Sequence, residues 1–173
     1  RLEGSFQTGE RGGSDVSAFM FGGRLGLPLG KAKLTLWYDY LSGDDNATDG
    51  KTKVFDTLFA TNHKFYGFAD LFLNIPAHTK GLGLQDVAIK FAVPLNNGVK
   101  LGIDGHAFFL SKQGTASGKH LGEEIDVTLS YKYSTEVTFV GGASYVIAKQ
   151  PLTDIGRLGD DMKFAYFMTN VAF

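Results

Sequence analysis

The sequence contains no cysteine. That excludes a disulfide framework and any thiolate metal site. Proline is scarce, with 4 in 173 residues, so little stands in the way of long uninterrupted strands. Charge of one sign is also missing: the formal net charge is -1, which gives no global pull toward nucleic acid or anionic lipid. No run approaches the ~18–20 apolar residues that a membrane helix needs. The chain opens on the charged residues Arg1 and Glu3, so no leader peptide is visible; the expectation is a removed leader or an internal first residue.

Catalytic and cofactor signatures are missing too. His63, His78, His106 and His120 show no metal-ligand spacing, and no Ser/His/Asp order or paired-carboxylate motif stands out. The glycine pairs Gly12-Gly13, Gly22-Gly23 and Gly141-Gly142 do not lead into a helix carrying a phosphate-binding lysine. The reading is therefore no enzyme, no cofactor and no nucleic-acid partner. Asp44, Asp45 and Asp49 offer hard oxygens in a short span and are weak calcium candidates, but their spacing is not that of a calcium loop and turns favour the same residues. No metal is expected.

What the chain does have is glycine (23), phenylalanine (15) and tyrosine (7). Aromatics and dispersed glycine suit strands and turns. Period-two alternation carries the assignment. Val87, Ile89, Phe91, Val93 and Leu95 alternate with Asp86, Ala88, Lys90, Ala92 and Pro94. Asn96-Asn97-Gly98 follows as a tight-hairpin signal. Leu101, Ile103 and Phe109 then oppose Lys100, Asp104 and His106. Ile125, Val127, Leu129 and Tyr131 oppose Glu124, Asp126, Thr128 and Lys132, and Val137, Phe139 and Tyr145 oppose Glu136, Thr138 and Ser144. Toward the N-terminus, Phe19, Phe21, Leu25 and Leu27 oppose Ala18, Met20 and Arg24; Leu34, Leu36, Tyr38 and Tyr40 oppose Lys33, Thr35 and Asp39. The final run, 162–173, ends on Phe173. These runs span roughly ten residues, the length of a tilted membrane strand rather than of an ordinary soluble one.

Connections alternate in length. Turns near 28–31, 95–98 and 133–135 are tight, whereas 111–119, 149–161 and above all 42–84 are long. Counting 65–75 as a strand would break this alternation, so 65–73 reads as a short helix or coil inside one structured outer loop. Eight strands then remain, with every tight turn on one side. Short inner turns and long outer loops characterise bacterial outer-membrane barrels. Tyr38 and Tyr40 fall at outer strand ends and Tyr131, Tyr133 and Phe173 at inner ends, as two interfacial girdles require. The fold class expected is an all-β antiparallel transmembrane barrel, a single domain over 1–173 or part of one, located in the bacterial outer membrane.

Four segments also carry a family likeness. Trp37-Tyr38-Asp39-Tyr40-Leu41-Ser42-Gly43-Asp44 precedes Phe55-Asp56-Thr57-Leu58-Phe59-Ala60-Thr61-Asn62-His63-Lys64-Phe65-Tyr66-Gly67, and Ala69-Asp70-Leu71 and Gly83-Leu84-Gln85-Asp86 follow. This resembles the C-terminal half of the bacterial alginate-export outer-membrane proteins. The resemblance implies an eighteen-stranded monomeric barrel whose last eight strands lie here, and a channel that passes polysaccharide. A barrel must close, since an open edge leaves backbone groups unpaired in hydrocarbon.

A channel acquires selectivity from charges facing its lumen. The pore-lining candidates are Arg24, Lys33, Lys90, Lys100 and Lys132, with Asp39, Asp86, Asp104, Glu124 and Asp126. With Glu3 and Glu136 on the same face, the signs are mixed and slightly acidic, at odds with the basic constriction that the resemblance implies for a polyanion. Ion pairing between adjacent strands is the alternative role for any one of them. The 42–84 loop is too apolar for disorder, so it is expected to fold over or into the barrel mouth. There Asn62, His63, Lys64 and Asp70 would make polar contacts as a constriction or lid; docking of its apolar face on a partner subunit or a neighbouring outer loop is the alternative. Expected partners are outer-membrane lipid, polysaccharide or small solutes, and other outer-membrane or periplasmic subunits. A passive polysaccharide channel leads, with a general diffusion porin or a non-conducting anchor as alternatives.

Overall fold

The computed structural model describes residues 1–46 and 48–173; residue 47 of the 42–84 connection lies outside the described residues. The elements in chain order are β1 (Leu2–Arg11), β2 (Ser14–Leu29), β3 (Ala32–Leu41), β4 (Lys51–Thr52), α1 (Ile75–His78), β5 (Leu84–Pro94), β6 (Val99–Leu110), β7 (His120–Lys132), β8 (Val137–Ala148), α2 (Gln150–Asp154) and β9 (Met162–Val171). Eight long strands pair with their sequence neighbours in the order β1-β2-β3-β5-β6-β7-β8-β9, all antiparallel. The ninth, β4, is a two-residue parallel addition to β2 at Asp15 and Val16. The sheet is not closed: β1 and β9 do not pair with each other. No helix among the described residues is long and apolar enough to cross a membrane, which says nothing about crossing by strands.

Each strand sorts its side chains by parity. Ile103, Val127 and Leu129 are 41–49% exposed, and Phe91, Leu101 and Phe139 share their face by register. The opposite face carries Asp39, Asp86, His106, Glu124 and Asp126, each less than 5% exposed. The greasy face is thus the uncovered one, the reverse of a soluble sheet and the arrangement a lipid-embedded wall requires. Aromatics gather at both ends of that face. Phe19, Phe21, Tyr38 and Tyr40 stack at the long-loop end; Tyr131, Tyr133, Phe139 and Phe167 do so at the tight-turn end.

What buries the inner face is the long connection. Phe55, Tyr66, Ala69, Leu71, Phe72 and Ile75 pack against Leu41, Leu84, Phe108, Leu110, Leu121 and Val146 of the wall. Phe72 meets Phe108 edge-on at 4.9 Å between centroids. Residues 65–73 form turns and coil, and among the described residues of the connection the only helical turn is α1, which starts at Ile75 behind an Asn74 side chain that accepts the Ala77 N–H.

The rule that every tight turn lies on one side fails at one place. β1 and β2 join through Gly12-Gly13, both at positive φ (59° and 80°), a two-residue turn whose backbone only glycine adopts without strain. It lies at the long-loop end. β2 continues six residues beyond its last partner in β3, from Ser14 to Phe19, so this hairpin extends past β3, flanked by β4 at Asp15 and Val16 and by Asp56 at Gln7 and Arg11, and needs no long loop to reach outside.

Candidate lumenal site

The inner face is built from one register. Asp39 on β3 lies opposite Asp86 on β5; Lys90 on β5 lies opposite Asp104 on β6; Asp104 and His106 lie opposite Asp126 and Glu124 on β7. Period two therefore brings the charged candidates onto one wall. Arg24 bonds Asp39 at 3.2 Å and lies 3.6 Å over the Trp37 ring, while the Trp37 indole N–H donates to the same carboxylate at 3.0 Å. Glu3 stands 3.6 Å from the guanidinium. A bulky side chain at Gly22 would collide with Asp39, so glycine leaves room for this pair.

Two strands along, Lys90 reaches Asp104 at 3.1 Å and His106 Nε2 at 3.1 Å. His106 Nδ1 faces Asp86 at 2.9 Å. With an ammonium on one side and a carboxylate on the other, the ring donates through Nδ1–H and accepts at Nε2. Ser144 donates to Asp126 at 2.5 Å. Its hydroxyl addresses an acid, not the imidazole, so this Ser, His and Asp set lacks the nucleophile–base contact that acyl-transfer chemistry needs.

The loop is latched to the same wall. The Ala69 N–H donates to Glu124 Oε1 at 2.7 Å. Gly67 adopts φ +81°, and a Cβ there would run into the Glu124 carboxylate; the chain crosses the acid closely because residue 67 is glycine. Asn62 donates to Thr57 Oγ1 at 3.0 Å and to the Leu73 carbonyl at 2.9 Å, closing the loop on itself. His63 and Asp70 pair at 2.5 Å, and the His63 ring sits edge-on to Phe68 and to Tyr166 of β9. Burial drives the Tyr66 hydroxyl well above its ordinary range. Lys64 is the exception among the four loop candidates: it is exposed and rests over Phe65 without a polar partner among the described residues.

Several placements differ from the sequence expectation. Asp39, Asp86, Glu124 and Asp126 do face inward, but each is 0–1% exposed, covered by the loop. Glu124 bonds the loop, while Asp39, Asp86 and Asp126 bond neighbouring side chains of the wall. Glu136 belongs to the turn before β8; the Thr135 and Ser134 hydroxyls hold its carboxyl below the usual range. Lys33, Lys100 and Lys132 stand exposed at the tight-turn ends of β3, β6 and β7, with no carboxylate within 4 Å among the described residues. The calcium candidates are occupied otherwise: Asp44 accepts the Asn46 and Lys53 N–H groups, Asp49 accepts the Lys51 N–H and pairs with Lys53 at 2.8 Å, and Asp45 lies 3.6 Å from Lys112. Sequence reasoning missed Trp37, which shares the parity of Lys33, Thr35 and Asp39 and contacts both Arg24 and Asp39.

An outward apolar face, a charged inner wall and a loop folded onto that wall fit part of a transmembrane β-barrel. A family model described as alginate export matches residues 1–148. The chain belongs to the alginate export family. A comparison with curated proteins finds no match. Membership makes this a polysaccharide-export protein of the outer membrane, and the eight-strand wall is part of its barrel.

Proposed function

We propose that this wall lines a passive channel for an anionic polysaccharide, a polyuronate of the alginate kind, with the loop as a fixed constriction. One observation carries the reading: the inward charges that remain exposed and unpaired are lysines. The inward acids are withdrawn. Asp39, Asp86, Glu124 and Asp126 are buried, Asp104 is paired with Lys90, and Glu3 with Arg1. The slightly acidic balance of the sequence therefore becomes a basic balance at the surface that a passing chain meets. Lys33, Lys100 and Lys132 share the tight-turn end, the side from which export begins, where they would gather a polyanion.

Burial favours a constriction over a lid. Swinging the loop away would uncover Phe72, Leu71, Ile75 and Tyr66, each 5% exposed or less, at roughly 1.5–3 kcal/mol for each large apolar side chain. A segment held this way narrows the lumen permanently. Deleting residues 55–75 should raise conductance and widen the range of solutes that pass.

The test is single-channel recording of the complete barrel in planar bilayers. A steady, anion-selective current blocked by oligouronate, and shifted toward cation selectivity by Lys33→Glu, Lys100→Glu and Lys132→Glu together, supports the proposal. Current without uronate block would make it a general porin, and absence of current from folded protein would leave an anchor.

A further inference from the structure

The loop ends in a feature that neither the wall nor the channel reading uses. Phe59 is fully exposed and Leu58, at φ +53°, is 67% exposed. They lie on the lumenal side, where no lipid covers them. Their position is fixed by the strand beneath. The Asp56 N–H donates to Gln7 Oε1 at 2.9 Å, Gln7 Nε2 donates to the Asp56 carbonyl at 2.7 Å, and Arg11 pairs with Asp56 at 3.0 Å. Gln7 and Arg11 belong to β1, the edge of the sheet. The loop thus crosses the whole inner face, from Glu124 and Tyr166 on β7 and β9 to β1, and presents its two apolar residues at the seam.

We infer that Leu58 and Phe59 dock on the lumenal face of the strand that pairs with the free edge of β1. Where β1 lies in the membrane, from Leu2 to Gln7, that edge cannot stay bare, because its N–H and C=O groups would go unpaired; a strand must therefore continue the wall beside the groove that Leu58 lines with Ser5 and Gln7. The partner surface is an antiparallel membrane strand presenting apolar inward residues at the level of Ser5 and Gln7, the inward residues of β1 that line the same groove as Leu58. The loop is then a strut anchored on both sides of the lumen, and the seam at β1 is held by side chains as well as by the strand ladder.

The test uses the complete barrel in a lipid nanodisc. Hydroxyl-radical footprinting read by mass spectrometry should find Phe59 protected to the level of buried Phe72. Oxidation of Phe59 at the rate of a solvent-exposed ring overturns the inference. A second variant guards the result: Phe59→Ser leaves every contact described above intact, and should raise hydrogen exchange across residues 54–64 on the order of tenfold by removing one apolar anchor. Unchanged exchange in that variant also overturns it. Neither readout depends on conduction, so failure here is separable from failure of the channel proposal.

Discussion

Replacing Val127 with arginine tests the orientation of the wall quantitatively. Val127 is 44% exposed on the outer face, with Ile103 and Ala143 as its cross-strand neighbours and Ile125 and Leu129 beside it on β7. None of these offers a guanidinium a partner. Tyr131, four residues on, belongs to the inner aromatic group. At ~3.4 Å per residue and a tilt of about 40°, Val127 lies roughly 10 Å above that girdle, close to the middle of an apolar band ~25 Å tall. Arginine there should cost about 2–4 kcal/mol, a loss of about 30- to 1,000-fold in the folding equilibrium. Leu129→Arg, two residues nearer the interface, should cost less. Thr128→Arg, one residue away on the inner face, should cost under about 1 kcal/mol and chiefly change conductance. The assay is reversible denaturant titration of the barrel in lipid vesicles. Equal costs at 127 and 128, or no gradient between 127 and 129, would refute the assigned faces.

Three further outcomes follow from the loop and its clasps. Glu124→Ala leaves the Ala69 N–H buried without an acceptor and should weaken loop docking by about 1–3 kcal/mol, seen as faster hydrogen exchange over 65–75; Glu124→Gln keeps an acceptor and should largely restore it. Gly67→Ala forces a strained φ and a collision with the same carboxylate, and should loosen the same segment by about 1–3 kcal/mol. Asp154, held down to about 2 by hydrogen bonds from Gln150 and Ser117, ties the 111–119 loop to α2. Because its folded value lies below the ordinary one, its contribution is complete above about pH 4 and is lost as pH falls through about 2. Peptic cleavage near Ser117 should rise across that window, and Asp154→Asn should remove the dependence.

Much of this was legible because a membrane wall writes its parity into the chain. β5 through β8 alternate cleanly, since one face meets lipid and the other polar groups, and their turns at 95–98 and 133–136 carry ordinary turn chemistry, whereas β9 is apolar on both faces. The loop's burial followed from its aromatics, which had to be covered somewhere. The outer ends of β1 and β2 were less legible. Thr8, Gly9, Glu10, Arg11, Ser14, Asp15 and Ser17 are polar or small on both faces, because that hairpin stands beyond the lipid and parity no longer constrains it. The fate of the acids was not legible either. Parity puts Lys100 and Asp126 on the same face, yet one is exposed and the other sealed beneath a loop tens of residues away in sequence. α2 escaped notice because five residues starting Gln150-Pro151 are too few to show a helical period.

Flux through the complete barrel in liposomes tests the central claim most directly. Vesicles would be loaded with fluorescent oligouronate or with a neutral glucan oligomer of equal length, and release followed at low and at high salt. The account predicts that the oligouronate leaves faster at low salt, that the difference shrinks as salt screens the lysines, and that Lys33→Gln, Lys100→Gln and Lys132→Gln together abolish it. Equal release of the two polymers at low salt, or release of neither from vesicles holding folded barrel, would contradict it.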